Sequence, residues 1–260
     1  MKRYLIYLIS MGMMLCYCIG SFAQVQDSIF FNTTLLLQAD SMPVGSGQLI
    51  ALPNQGLFIA DGNTFYSLDK KECPEIEKFR LLENIPIEQV IVNDNEFIAK
   101  SQQFLMLLGE KDTEILAEFD TEDFAIFNGR DSVVNIVAYE NGDSCIWYKF
   151  DRRTGETECI LQESRPIRKI VAGNQIDFCI IGNNVYYVKD ALCGELIVSE
   201  KPIKDFVLLP NGLMFCTDDM LSLISDDCVS PILEGDFHGL HYDGKIVYVV
   251  LKNGNIWRME

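Results

Sequence analysis

Histidine and tryptophan are scarce in this chain of 260 residues, with two of each. The nine cysteines form no C-x-x-C pair, so neither the ligand count nor the spacing of a structural zinc site is present, and no metal is expected. No Gly-x-Ser-x-Gly occurs, which excludes the usual nucleophile elbow. There is no phosphate-cradling glycine loop, and no oxygen-ligand loop of the calcium-binding EF-hand kind. No cofactor is therefore expected, and no catalytic residue is assigned. Basic side chains are also few, 21 against 38 acidic ones. A surface of that sign repels nucleic acid and anionic headgroups and favours basic partners or cations. Long apolar runs are missing after the first 23 residues, and no stretch carries a convincing helical period.

What is present begins with the opening segment, MKRYLIYLISMGMMLCYCIGSFAQ. Lys2 and Arg3 precede an apolar stretch to about Ile19, and Ser-Phe-Ala precedes Gln24. That is the three-part pattern of a cleaved secretory signal over residues 1–23. The run is short for a membrane anchor of roughly 20 residues. Cys16 and Cys18 lack the small preceding residue of a lipobox. The mature chain, 24–260, is expected as one soluble, monomeric domain in the periplasm or outside the cell. Loss of Lys2 and Arg3 takes the formal net charge from −17 to −19.

Seven cysteines remain, at 73, 145, 159, 179, 193, 216 and 228. An oxidising compartment permits bridges. Cys145 and Cys159 flank a hairpin, and Cys179 with Cys193 and Cys216 with Cys228 recur at similar places, so these three pairs are candidate disulfides. Buried free cysteine is the alternative, and the odd count leaves at least one thiol free or paired between chains.

An internal repeat organises the rest. A strand closing on an acid or amide recurs as LLLQAD (35–40), RLLEN (80–84), EILAEFD (114–120), ECILQES (158–164), ELIVSE (195–200) and PILEGD (231–236). Its apolar doublet begins at Leu36, Leu81, Ile115, Ile160, Leu196 and Ile232, with steps of 45, 34, 45, 36 and 36 residues. Between copies lie three short runs rich in β-branched and aromatic residues, separated by turn formers such as DGN, PNG and KNGN. Four strands every forty or so residues is the period of a β-propeller blade. The expected fold is all-β: a six-bladed propeller of four-stranded antiparallel blades. The last repeat, 237–260, has three strands, so residues 34–40 are expected to supply its fourth and close the ring.

On these repeats the chain resembles six-bladed propellers of the NHL and TolB-like kind. YKFDRRTGE (148–156) looks like the turn between the third and fourth strands of many propellers. A second resemblance is to secreted proteins of the Bacteroidota, whose O-glycosylation site is Asp-Ser followed by a small apolar residue. It implies candidate sites at Ser28, Ser41, Ser132 and Ser144.

His238 and His241, three apart on one strand, are expected on opposite faces, too divergent to share a metal. Acid pairs recur in turns, and Asp218, Asp219, Asp226 and Asp227 are the candidate binding residues for a basic protein. These features point to a non-enzymatic extracytoplasmic binding propeller. One version is an immunity protein that neutralises a basic antibacterial toxin. The competing readings are a glycosidase or lyase acting on polysaccharide through paired carboxylates, and a structural component of an envelope complex.

Overall fold

Among the described residues, the alternating runs between turn signals become strands. The computed structural model describes residues 33–37, 48–52, 56–61, 64–67 and, from 86 onward, all but 95, 110–111, 141–143, 191 and 226–227. They belong to one compact unit, Asn32–Glu260. The expected leader (1–23), the run 80–84, Cys73, Ser28, Ser41, Asp226 and Asp227 lie outside the described residues.

The strands are β1 (Thr33–Leu37); β2 (Gln48–Leu52), β3 (Gly56–Asp61) and β4 (Thr64–Ser67); β5 (Gln89–Asn93), β6 (Glu96–Ser101), β7 (Phe104–Leu108) and β8 (Thr113–Glu118); β9 (Phe124–Asn128), β10 (Val133–Glu140), β11 (Ser144–Asp151) and β12 (Thr157–Glu163). They continue as β13 (Ile167–Ala172), β14 (Asp177–Ile181), β15 (Asn184–Lys189) and β16 (Leu192–Ile197); β17 (Asp205–Leu209), β18 (Gly212–Cys216), β19 (Met220–Ser225) and β20 (Cys228–Glu234); and β21 (Phe237–Tyr242), β22 (Val247–Leu251) and β23 (Ile256–Met259). Each group is an antiparallel meander. Five sheets have four strands, and β2–β3–β4 has three among the described residues. The fifth four-stranded sheet runs β21–β22–β23–β1, its outer strand coming from the start of the described chain. The first strands β2, β5, β9, β13, β17 and β21 touch in sequence, and β21 returns to β2. This arrangement is a β-propeller.

Period-two alternation gives each sheet two apolar faces, one for each neighbour. On β14, Cys179 and Ile181 pack with Trp147 and Val137 of the preceding sheet. The intervening Ile180, with Phe178, packs with Phe206 and Phe215 of the following one. The three-stranded sheet is covered in the same way. Ile50 packs with Val90 and Met106, and Leu57 packs with Tyr248 and Ile256. Trp147 is fully buried, and its Nε1 donates to Asn135 Oδ1 at 2.9 Å. The turn formers act as their chemistry requires. In 243–245 the Asp243 carboxylate accepts from the amides of Lys245 and Ile246, and Gly244 takes a φ of 93°. In YKFDRRTGE, which joins the third strand β11 to the fourth strand β12, Asp151 accepts from Ser132 and from the Arg153 amide.

The apolar doublet that marks the repeat has a structural cause. Every described pairing of a third with a fourth strand carries a register shift. The extra residues are Leu36, Leu116, Ile160, Leu196 and Ile232. A β-bulge sets two consecutive residues against one partner and breaks the alternation. Two apolar residues in a row then replace the single one that alternation allows. β16 begins three residues before the ELIVSE run, because the chain reverses tightly at Asp190, whose φ is 48°.

The three candidate disulfides are corrected by the register. Cys145 stands opposite Glu163 and Cys159 opposite Tyr148, so the two are three rows apart, about 10 Å. Cys179 and Cys193 are separated by the intervening strand β15, and Cys216 and Cys228 by β19. Two strand spacings are about 9–10 Å, beyond the roughly 7 Å that a bridge spans. All six are free thiols: Cys145, Cys179 and Cys216 are buried, and Cys159, Cys193 and Cys228 are exposed on fourth strands. Burial pushes the Cys216 thiol up to about 12 and raises that of Cys179 further.

Two outcomes are expected. Alkylation of the native protein with iodoacetamide, read by peptide mass spectrometry, will label Cys159, Cys193 and Cys228 well before Cys145, Cys179 and Cys216, which become reactive only on unfolding. Deletion of 33–37 will remove the strand that pairs with β23 and leave an open edge. The variant will melt at lower temperature and associate in sedimentation velocity; an unchanged monomer with an unchanged Tm contradicts this account.

Candidate functional site

Polar side chains on the first strands tie blade to blade. Gln48 clamps the backbone of Val90, donating to its carbonyl at 2.8 Å and accepting from its amide at 2.7 Å. Gln89 repeats the device on Ile126, at 2.7 and 2.9 Å. At the equivalent place on β17 an acid replaces the amide. Asp205 accepts from the amides of Phe206 and Leu240, both at 2.8 Å, and pairs with Lys169 of β13. These clamps satisfy backbone groups along the ring that no sheet partner reaches.

His241 of β21 is within electrostatic reach of this Lys169–Asp205 pair. Burial, and next the Lys169 charge, lower its pKa to about 4, so the imidazole is neutral at pH 7. It makes no hydrogen bond among the described residues. A general base works best with a pKa near the working pH, and an imidazole this acidic is a weak one. His238 is the extra residue of a bulge between Phe237 and Gly239. The alternation argument for opposite faces therefore does not apply, and the two rings are within electrostatic reach of each other. Among the described residues no group of three or more His, Cys, Asp or Glu could hold a metal ion.

The candidate binding acids have partners of their own. Asp219 pairs with Lys201, and Asp218 pairs with Lys252 at 2.7 Å and with Lys204 at 3.4 Å. Hydrogen bonds from these lysines are the leading cause that lowers both carboxyl pKa values. Their backbone carbonyls accept from Phe237 and Gly235, holding the link between β20 and β21. Asp218 and Asp219 are thus built into the ring, and less of their charge is free to steer a partner. The acids of the link from β8 to β9, Asp120, Glu122 and Asp123, are exposed and form no ion pair among the described residues. Of the candidate modified serines, Ser132 is buried with its hydroxyl on Asp151, while Ser144 begins β11 and donates to Glu140.

Two features went unread in the sequence. One is an open cleft of about 450 Å³ between the sheets β5–β8 and β9–β12. The other is an apolar rim on the outer strands. Leu192 is 73% exposed and Val198 71%, beside Tyr187 and Leu196. Tyr187 lies across Gly194, whose missing side chain makes room for the ring. In the sequence these residues match the buried apolar residues of other strands, so pattern alone does not distinguish them.

No protein-family model matches the chain, and no curated protein matches it in sequence. Solved structures do match in shape. A catalytically inactive variant of virginiamycin B lyase from Staphylococcus aureus, solved with quinupristin, is 11% identical, with a TM-score of 0.59 over 84% of this chain and 82% of that one. PorZ, an essential surface component of the type-IX secretion system of Porphyromonas gingivalis, is 10% identical, with a TM-score of 0.55 over 87% of this chain but 33% of its own. A chain of the mitotic checkpoint complex is 9% identical, with a TM-score of 0.55 over 87% of this chain and 92% of that one. At these identities the likeness shows the fold: the chain is a β-propeller.

The state of His241 has a thermodynamic signature. Its folded pKa lies below the ordinary value of 6.5, so the unfolded chain binds the extra proton between the two values. Stability is then lost as pH falls from about 6.5 through about 4, and is flat in this contribution below that. Urea unfolding at intervals across that range will show a shallower acid slope for His241→Asn than for the native chain. An NMR titration midpoint above pH 6 contradicts the assignment.

Proposed function

We propose that the chain is a six-bladed, NHL or TolB-like propeller of a Bacteroidota-type secreted protein, acting in the periplasm or outside the cell as a non-enzymatic binder of a protein partner. On this reading the three-stranded sheet belongs to the first of the six blades. Residues 1–23 are the cleaved signal.

The observation that carries the binding role is the edge of β16. Outer strands of a sheet invite pairing unless charges or proline guard them. β8 carries Glu114 and Glu118, β12 carries Glu158 and Glu163, and β20 carries Pro231. β16 carries one acid, Glu195, which is held within its own sheet by donors from Tyr186 and Asn184, and it exposes Leu192 and Leu196, with Tyr187 on the neighbouring strand. An extended partner segment that adds to this edge gains main-chain hydrogen bonds and apolar cover together. The net charge of the mature chain, −17 less the two charges of Lys2 and Arg3, or −19, selects a basic partner, and a basic antibacterial toxin is one such partner, making the chain an immunity protein. The unpaired acids Asp120, Glu122 and Asp123 supply the steering charge. Assembly into an envelope complex, as PorZ assembles into a secretion system, would use the same edge. A glycosidase or lyase acting through paired carboxylates is the alternative, less well served because one such pair, Asp218 and Asp219, is already held by lysines. If the Asp-Ser sites are modified, the buried hydroxyl of Ser132 makes Ser144 the better acceptor in the folded chain.

Affinity capture from the native envelope with the mature chain tests this. Leu192→Lys with Leu196→Lys will abolish recovery of the partner that the native chain retains. In surface plasmon resonance with that partner, reversing Asp120, Glu122 and Asp123 to lysine will slow association by about tenfold and leave dissociation nearly unchanged. A partner bound equally by both variants, at a rate flat between about 50 and 500 mM salt, overturns the proposal.

A further inference from the structure

The cleft between the sheets β5–β8 and β9–β12 has a composition unlike the rest of the surface. Asp94 reaches it from the β5–β6 turn, Glu96 from the start of β6, Leu107 from β7, Glu114 and Leu116 from β8, and Arg152 and Arg153 from the β11–β12 turn. At about 450 Å³ it is in the size range of small-molecule sites. Leu116 is the extra residue of the β8 bulge, so the register break that marks every repeat here gives the cleft an apolar wall.

Arg152 distinguishes the cleft from a collection of surface charges. Its side chain is only 8% exposed. One Nη pairs with Glu96, the other donates to Asn93 Oδ1 at 3.0 Å, and Nε has no partner among the described residues. A buried guanidinium that lacks one acceptor is costly to leave so. Nε itself is closed off from solvent, so a ligand oxygen supplies the missing acceptor only with a small shift of the side chain toward the cleft. Glu114, exposed and in no ion pair among the described residues, offers the cleft an acceptor that a ligand hydroxyl can take over from water.

The charges select among ligands. Three carboxylates line the cleft against two guanidinium groups. Arg152 is already taken by Glu96, and Arg153 lies 4.0 Å from Asp94. An anion therefore meets the one uncompensated acid, Glu114, and a cation finds only that single exposed carboxylate, which is worth little in water. A neutral ligand that donates and accepts through many hydroxyls, and has a C–H face for Leu107 and Leu116, satisfies every wall. We infer that this cleft is a saccharide-binding site, separate from the protein-binding edge of β16.

Isothermal titration calorimetry of the full mature chain with cellotetraose, xylotetraose, maltotetraose and chitotetraose tests the inference, with saturation-transfer NMR as the second readout. At least one of the four will bind with one-to-one stoichiometry and with little salt dependence. Glu114→Gln will weaken it by about tenfold, and Leu116→Trp, which fills the cleft, will abolish it. Both variants will keep the native Tm and the partner capture that depends on Leu192, so the two sites fail independently. Absence of binding for all four sugars, or equal binding by the native chain and both variants, overturns the assignment.

Discussion

A β-sheet that is apolar on both faces cannot stand alone in water, and this constraint governs the whole molecule. Each sheet here needs a neighbour on either side, and only a closed ring gives every sheet two. Phe178 and Ile180 serve one neighbour while Cys179 and Ile181 serve the other, on the same five-residue strand. The hydrophobic contribution, roughly 25 cal/mol per Å² of apolar surface removed from water, is therefore spread around the ring. The Gln48, Gln89 and Asp205 clamps add direction to it. They set how far one first strand slides along the next, which packing alone leaves loose.

The fourth strands obey a different balance. They lie furthest from the axis, where adjacent sheets diverge and cover is thinnest. The recurring bulge places a second apolar residue there and turns the strand more strongly. Guarding charges and Pro231 then keep most outer edges from pairing with other chains. β16 has a single acid, tied up within its own sheet, and exposes Leu192 and Leu196, so it is less guarded than β8, β12 and β20, and local departures from a consistent rule are where function is expected. The cleft beside β8 has the same origin: a bulge residue, displaced from the alternation, lines a gap between two diverging sheets.

Electrostatics qualifies what net charge suggests. A surplus of acids is a property of the whole chain, but its action depends on which acids are already paired. Asp218 and Asp219 hold three lysines between them, so their charge stabilises a turn and adds little to the outer field. Asp120, Glu122 and Asp123 carry no such pairing and project charge outward. Identical residue types in similar turns thus differ in role through the neighbours that the fold brings to them.

The repeat, the four strands that five of the described sheets show, the turn positions and the pairing of the N-terminal strand, expected over 34–40 and found over 33–37, with the last sheet follow from sequence, because period-two alternation and φ > 0 turn chemistry are local and written residue by residue. Even the bulge was visible, as the doublets at Leu36, Ile160, Leu196 and Ile232, although its cause was not. The tertiary structure decided what depends on distance between sheets. It left Cys179 and Cys193 two strands apart despite their regular spacing, brought Lys169, Asp205 and His241 from three blades to one place, and exposed Leu192 while burying Ile197. Spacing along a chain records which strand a residue occupies, but the neighbour across a blade interface lies some 35–45 residues away, where no local pattern reaches.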